Sequence, residues 1–297
     1  MKLDRKFFFF LIIGAIPVLL LLGAFLLRPP ILLVTDASFD ALYGPARAKL
    51  KQVETSLRLF RRIIPVLIPD GVGSDIVAFT IEETARSPYL VLLPYRYHAG
   101  AARYASAFPD VPVFVLRGHE PAPDAGDAVF VETDARTDFY RAGLCAALLA
   151  ESQDGEIVVL ENGKLDPSWR EAFQAGLQEQ GFSGQEKYLS VADDYSDIEN
   201  VVCVVMTGQA TSFLEQNLDI PVILFSWVDP ALTARAIKVM FDDSPWAFLT
   251  KVVHARGKED GLFPSEMVFP KGRTAERTRL QETQNKMFIE SEKYAEN

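Results

Sequence analysis

Four stretches of this chain gather hydroxyl, carboxylate and aromatic side chains where apolar runs end. The first reads Val34-Thr35-Asp36-Ala37-Ser38-Phe39-Asp40, and the second, Pro94-Tyr95-Arg96-Tyr97-His98, packs two phenols, a guanidinium and an imidazole into five residues. Further on, Glu161-Asn162-Gly163 is followed by Trp169, and Ser226-Trp227-Val228-Asp229 closes another apolar run. Rings of this kind stack on a planar or polyhydroxyl molecule, and the hydroxyls, amide and carboxylates can fix its polar groups. The candidate ligand-binding residues are therefore Ser38, Phe39, Tyr95, Tyr97, Asn162, Trp169, Trp227 and Asp229. Each has an ordinary structural reading beside it. Ser38 or Asp40 can cap a helix, Asp229 can cap one that opens at Pro230, and the tyrosines can pack a surface. Both readings stay open at this point.

Bond-making chemistry has no motif behind it. The chain contains no G-x-S-x-G, no P-loop, no G-x-G-x-x-G and no H-E-x-x-H. His98, His119 and His254 have no partner at helical spacing, so no metal and no cofactor are expected, and the chain reads as a binding protein rather than an enzyme. Cys145 and Cys203 sit among apolar neighbours, as small core fillers do.

The elements that must position these stretches alternate. Apolar runs at 31–35, 63–68, 89–93, 111–116 and 128–132 read as strands, separated by amphipathic stretches at 40–61, 74–86 and 99–107. The cycle restarts with a helix at 138–151, a strand at 156–160 and a helix at 168–180. Strands at 201–206 and 221–225 follow, with helices at 211–217, 230–241 and 245–255. Near-continuous apolar strands alternating with helices indicate buried parallel sheets. Two such groups give an α/β chain of two doubly wound parallel-sheet lobes. Loops beyond the carboxyl ends of such strands are where ligands bind. The expected division is lobe 1 at 31–134 with a return segment at about 232–270, lobe 2 at 135–231, and a polar, charged tail at 271–297.

Residues 1–30 set the address. From Phe7 to Leu27 there is no charge, and a helix over that stretch spans the ~30 Å hydrocarbon layer. Lys2, Arg5 and Lys6 precede it, which places the N-terminus in the cytoplasm and the body outside. The run ends in Phe25-Leu26-Leu27-Arg28-Pro29-Pro30, with no small-x-small cleavage site, so a retained transmembrane anchor is expected at the cell membrane. The 297-residue chain carries a net charge of −10, and without the basic N-terminal cluster the body is more acidic still. A nucleic-acid partner is not expected for such a body.

The strand ends resemble the basic membrane protein family, lipoproteins of the type I periplasmic-binding fold that include purine-nucleoside receptors. The similarity runs through Val34-Thr35-Asp36 and Ser38-Phe39-Asp40, then Phe108-Pro109-Asp110-Val111-Pro112-Val113-Phe114. It continues through Phe139-Tyr140-Arg141-Ala142-Gly143-Leu144, Gly155-Glu156-Ile157-Val158-Val159-Leu160 and Phe173-Gln174-Ala175-Gly176. The resemblance implies a two-lobed clamp that takes a small ligand of the nucleoside or sugar class in its cleft and presents it to an ABC-type membrane transporter. It departs from the family in a shorter stretch between Thr35 and Ser38 and in lacking the lipid-attachment cysteine. Three uses of the fold follow: nucleoside binding, sugar binding resting on Trp169-Arg170, and a sensory or scaffold protein whose pocket is lost.

Overall fold

The computed structural model describes residues 5–36, 45–69, 71–117, 128–150, 155–161, 165–190, 200–207, 220–225, 236–242, 245–255, 261–269 and 274–288. They divide into two units, Met1–Val131 with Leu249–Gly261, and Glu132–Phe248 with Leu262–Asn297, so the chain passes from one to the other three times. Where the sequence suggests a return at about 232, the segment that rejoins the first unit begins at Leu249.

The first unit opens with α1 (Arg5–Leu27), a helix interrupted in sequence only by Pro17. The side chains of α1 are described from residue 15 onward, about 20 Å of helix at ~1.5 Å per residue. Among the described residues no helix is long and apolar enough to cross a membrane. Leu19, Leu20, Leu21 and Leu27 are all exposed. The helix meets the body where Phe25 lies against Phe60, ring centroids 5.6 Å apart, and Arg28 sits over the same ring.

Five strands then build most of a six-stranded sheet: β1 (Ile31–Thr35), β2 (Ile63–Leu67), β3 (Leu90–Pro94), β4 (Val113–Arg117) and β5 (Val129–Thr133). With β11 (Gly261–Phe263) the order across the sheet is β11-β5-β4-β3-β1-β2. β1 pairs parallel with β2 (Leu33 opposite Pro65) and with β3 (Leu33 opposite Leu92), and β3 pairs parallel with β4. Parallel pairing needs crossovers, and here they are α2 (Pro45–Leu59), α3 (Ser74–Thr84) and, after a 3₁₀ turn at Tyr95–Tyr97, α4 (His98–Ala107). Val77 and Ile81 of α3 and Ala101 and Tyr104 of α4 share one core with Leu32, Val34, Val66 and Val91.

The second unit is anchored by α5 (Ala135–Leu149) and α6 (Pro167–Glu179) over a sheet of order β12-β10-β9-β8-β6-β7. Its strands are β6 (Glu156–Glu161), β7 (Gln185–Ser190), β8 (Val201–Met206), β9 (Val222–Leu224), β10 (Ile237–Asp242) and β12 (Glu266–Val268). All pairings are parallel except β10 with β12. The helix expected at 230–241 is corrected: residues 237–242 form strand β10. Ile-Lys-Val-Met-Phe-Asp puts Val239 and Phe241 on the α5 side and Ile237 and Met240 on the other, and burial on both faces removes the alternation that marks a strand. The helix expected at 211–217 lies outside the described residues.

The polar C-terminal stretch keeps most of its side chains exposed over residues 274–288, yet it is tied to the second unit at a few points. After α7 (Pro245–Ala255) and β12 comes α8 (Thr274–Gln281), whose Leu280 is buried. Beyond it Arg141 Nε donates to the Lys286 carbonyl at 2.7 Å, and Lys286 Nζ reaches Glu179 at 2.5 Å. Glu179 also accepts from the Tyr140 hydroxyl. The Lys286 and Tyr140 hydrogen bonds hold its carboxyl below the usual range. Polar contacts do here what an apolar face does elsewhere.

α5 and α6 touch backbone to backbone. A Cβ on Gly143 would stand 2.2 Å from the Phe173 carbonyl oxygen, and one on Gly176 would stand 2.2 Å from that of Tyr140. Gly176→Ala should therefore lower stability by about 1–3 kcal/mol in urea denaturation, as overpacking does. An unchanged midpoint would show that the helices can part without loss. Cys145 and Cys203 are free and wholly buried. Burial pushes the Cys145 thiol up to about 12 and the Cys203 thiol higher still. Since the unfolded chain releases those protons first, stability should be full below the unfolded thiol pKa of about 8.5 and decline as pH rises through it. At pH 8 neither thiol should react with a thiol-specific reagent until denaturant is added. Prompt reaction of the native protein would contradict this burial.

Candidate functional site

At the carboxyl end of β1 the chain leaves Thr35 and Asp36 buried, an uncommon place for a carboxylate unless it is paired. The pair comes from the 3₁₀ turn after the neighbouring strand β3. Arg96 forms an ion pair with Asp36 Oδ2, and the Tyr97 hydroxyl donates to the same oxygen at 3.5 Å. Parallel register is what brings them together, since Leu33 of β1 stands opposite Leu92 of β3 and both strands end a few residues later. Arg96 also lies over the Tyr97 ring, 4.9 Å from its centroid.

Tyr95 and Tyr97, both expected in a site, are placed differently. The Tyr97 ring is buried in the core of the first unit, leaving its hydroxyl to serve Asp36. Tyr95 is half-buried and stacked on His98, centroids 5.0 Å apart, with Phe130 at 6.5 Å. The His98 Nδ1–H donates to the Tyr95 carbonyl at 3.0 Å, which leaves Nε2 as an acceptor. Ser38 and Phe39 lie outside the described residues.

In the second unit the carboxyl end of β6 carries Glu161, buried and bridged at 2.5 Å by Arg170 in the first turn of α6. α6 begins where it does because Asp166 caps it, accepting from the Ser168 amide at 2.8 Å, with Pro167 as the first helical residue. Trp169 therefore stands beside Arg170 at the helix start. Its ring stacks on Phe139 (5.5 Å, 15°), Phe139 stacks on Phe225 (4.4 Å, 22°), and Phe225 on Phe241 (4.6 Å, 10°). Arg170 also covers Tyr188 of β7 at 4.5 Å, and burial raises the Tyr188 phenol above its ordinary value. The buried Tyr188 hydroxyl and Arg170 Nε have no hydrogen-bond partner among the described residues. Thr207, just past β8, donates its hydroxyl to the Leu160 carbonyl at 3.0 Å. Asn162, Trp227 and Asp229 lie outside the described residues.

Each unit thus sets, at the carboxyl ends of its strands, a half-buried aromatic ring beside a carboxylate–guanidinium pair. Asp36, Arg96, Glu161 and Arg170 complete these groups; the sequence placed the first three in the candidate stretches and Arg170 in the Trp169-Arg170 pair, but none of them among the candidate ligand-binding residues. The signal available was a carboxylate directly after an apolar strand, at Val34-Thr35-Asp36 and at Leu160-Glu161. A paired carboxylate can accept from ligand hydroxyls while a guanidinium donates, and neither arrangement holds a nucleophile with a base. Among the described residues no three metal-ligating side chains cluster.

No protein-family model and no curated protein matches the chain. Solved structures do. A solute-binding protein of an ABC transporter system from Conexibacter woesei is similar over 86% of this chain and 95% of its own, with TM-score 0.58 and 13% identity. A transcriptional activator of the comK gene from Bacillus halodurans matches over the same shares with TM-score 0.55 and 14% identity. A periplasmic solute-binding protein from Actinobacillus succinogenes with bound D-allose matches over 86% and 100%, with TM-score 0.52 and 13% identity. The two parallel-sheet α/β units have the type I periplasmic-binding fold.

Removing Arg96 would leave the Asp36 carboxylate buried without its cation. Arg96→Ala should cost about 1–3 kcal/mol, with part recovered in the Asp36→Asn/Arg96→Ala double variant. Strictly additive losses in thermal denaturation would mean that the two groups do not support each other.

Proposed function

We propose that this chain is a solute-binding protein, tethered outside the cytoplasm by α1, that presents a small polyhydroxyl ligand to an ABC-type transporter. The observation that carries the proposal is the repeated arrangement at the strand ends. Tyr95 stands beside the Asp36–Arg96 pair, and Trp169 beside the Glu161–Arg170 pair. Stacking rings next to charge-paired carboxylates suit a sugar, whose C–H face lies on a ring while its hydroxyls bridge acceptor and donor. Two of the similar structures are solute-binding proteins, one of them with D-allose, which favours the sugar class over the nucleoside. In this reading Phe39, Tyr95, Trp169 and Trp227 stack, while Ser38, Asn162 and Asp229 fix hydroxyls and Tyr97 holds Asp36 in place.

The tether rests on the exposed apolar side chains of α1 and on the cationic residues that precede them. Left in water, such a helix exposes apolar surface at a cost of about 25 cal/mol per Å². One observation favours a second use of the fold, as a sensor or scaffold without a ligand. Trp169 is already stacked into the ladder that ends at Phe241.

The test is a thermal-shift screen of the purified chain against monosaccharides, nucleosides and amino acids. A ligand at 100 times its Kd adds about 2.7 kcal/mol to stability. A sugar should shift the melting temperature, and Asp229→Ala should abolish that shift while changing unliganded stability by less than about 1 kcal/mol. A nucleoside shift would return the ligand to the class implied by the sequence resemblance. No shift from any solute would favour the sensor or scaffold.

A further inference from the structure

The two helices that flank the edge strand β2 turn apolar side chains to solvent, and on α2 the usual amphipathic order is reversed. The face of α2 against the sheet carries Thr55 and Ser56, both buried. From that face Gln52 Nε2 donates to the Ile63 carbonyl at 2.7 Å, and Ser56 Oγ accepts from the Ile63 amide at 3.2 Å. The opposite face carries Leu50, Val53 and Leu57, whose i, i+3, i+7 spacing lines them in one stripe. All three are more than half exposed. α3 does likewise on a smaller scale, burying Val77 and Ile81 while Ile76 and Phe79 stay at least half exposed. Leu67, at the end of β2 between the helices, is exposed as well.

Single exposed leucines are ordinary, but six large side chains along one sheet edge expose roughly 600 Å² of apolar surface per copy, divided between the two faces that flank β2 and in total as much as a monomer's largest patch. A standard protein interface needs about 800 Å² per partner, which the charged rims of the two helices would complete. Right-handed crossovers place α2 and α3 on opposite faces of the sheet, because β1 to β2 and β2 to β3 step in opposite directions. Val66 accordingly packs with α3, while Ile63 bonds to α2. The two helices also differ in charge. α2 has four basic residues and one acidic, and α3 has three acidic and none basic.

We propose that this edge of the first unit is the interface of a homodimer in which a two-fold axis runs parallel to the strands, setting α2 of each copy against α3 of the other. Rotation about that axis exchanges the two faces of the sheet, so the basic helix meets the acidic one twice. An axis perpendicular to the sheet would instead pair α2 with α2 and α3 with α3, like charge with like. It would also bring the two β2 edges together as one continuous sheet, which Pro65 opposes because it has no amide to donate. The parallel axis keeps the strand direction of both copies, so the amino ends of both β1 strands, where α1 enters, point the same way. Two tethers in one membrane need this. That last point rests on the tether proposed above, whereas the area and charge arguments do not.

The full chain in detergent micelles should have a protein mass near twice 33.1 kDa by light scattering. Leu57→Glu and Phe79→Glu should each halve it without changing the circular dichroism spectrum. A mixture of Leu50→Cys chains and Phe79→Cys chains should crosslink with a short bismaleimide, while neither variant crosslinks alone. A wild-type chain that stays single-copy at tens of micromolar overturns the proposal, and so does self-crosslinking of each variant alone. Solute-induced thermal shifts on the same samples report the binding function separately. A single-copy chain that still binds a solute sinks only the dimer, and a dimer that binds none sinks only the solute.

Discussion

Parallel pairing is the constraint from which the rest of this molecule follows. A strand laid parallel to its neighbour must be reached by a crossover, and α2, α3 and α4 are the crossovers described in the first unit. The carboxyl ends of the mutually parallel strands then fall along one edge of each sheet. In the first unit that edge carries Asp36 after β1 and the Tyr95–Tyr97 turn after β3, residues some sixty apart in sequence yet bonded to each other. In the second, Glu161 and Thr207 come to the same edge because β6 and β8 pair along Ile157 to Leu160. Residues on either sheet meet because of strand order, not sequence proximity.

Burial of charge is the second organising term. Asp36, Asp138, Arg141 and Glu161 are all nearly inaccessible, and each is held by specific partners. Asp138 takes the Ser265 amide with both oxygens at 3.0 Å, which fixes the approach to β12. Arg141 spans the gap between α5 and the C-terminal segment, donating to the Lys286 carbonyl, and its burial lowers its pKa despite the nearby Asp138 and Asp134. An uncompensated charge in these places would cost several kcal/mol. The segments that carry the partners are therefore held in register by polar contacts as firmly as by apolar ones.

This division explains what was legible in the sequence. The apolar strands at 31–35, 156–161 and 201–206 announce themselves because burial on both faces demands runs of Val, Leu and Ile. The same demand hid β10, whose Ile-Lys-Val-Met-Phe-Asp lacks the alternation of a half-buried strand and follows a stretch that reads as helical. β7 went unseen for the opposite reason. Gln-Glu-Lys-Tyr-Leu-Ser is a polar edge strand with one partner, β6, and its side chains report solvent. The C-terminal residues 283–288 carry almost no apolar signal, because Arg141, Glu179 and Thr137 hold them. At the candidate site the rings and the charged residues were visible and the pairing of the charges was not, since no spacing rule links Asp36 with Arg96.

The aromatic ladder of the second unit ties the orientation of Trp169 to the core. Trp169, Phe139, Phe225 and Phe241 stack in succession from the start of α6 down to β10, so the indole is oriented by the core beneath it. On the solute-binding reading proposed above, a ring fixed this way would offer a ligand one surface at one angle, and ordering it on binding would cost little further side-chain entropy. The Gly143–Gly176 contact serves the same end, because α5 carries Phe139 and α6 carries Trp169, and their backbones can approach only where no Cβ intervenes. Separating the helices by the width of a methyl group would move Trp169 and Arg170 together, relative to Phe139 and Glu161. The tight helix pair, the ladder and the strand-end charges are thus one mechanical unit, and a change at Gly176 acts on the angle of Trp169 through the helix that carries it.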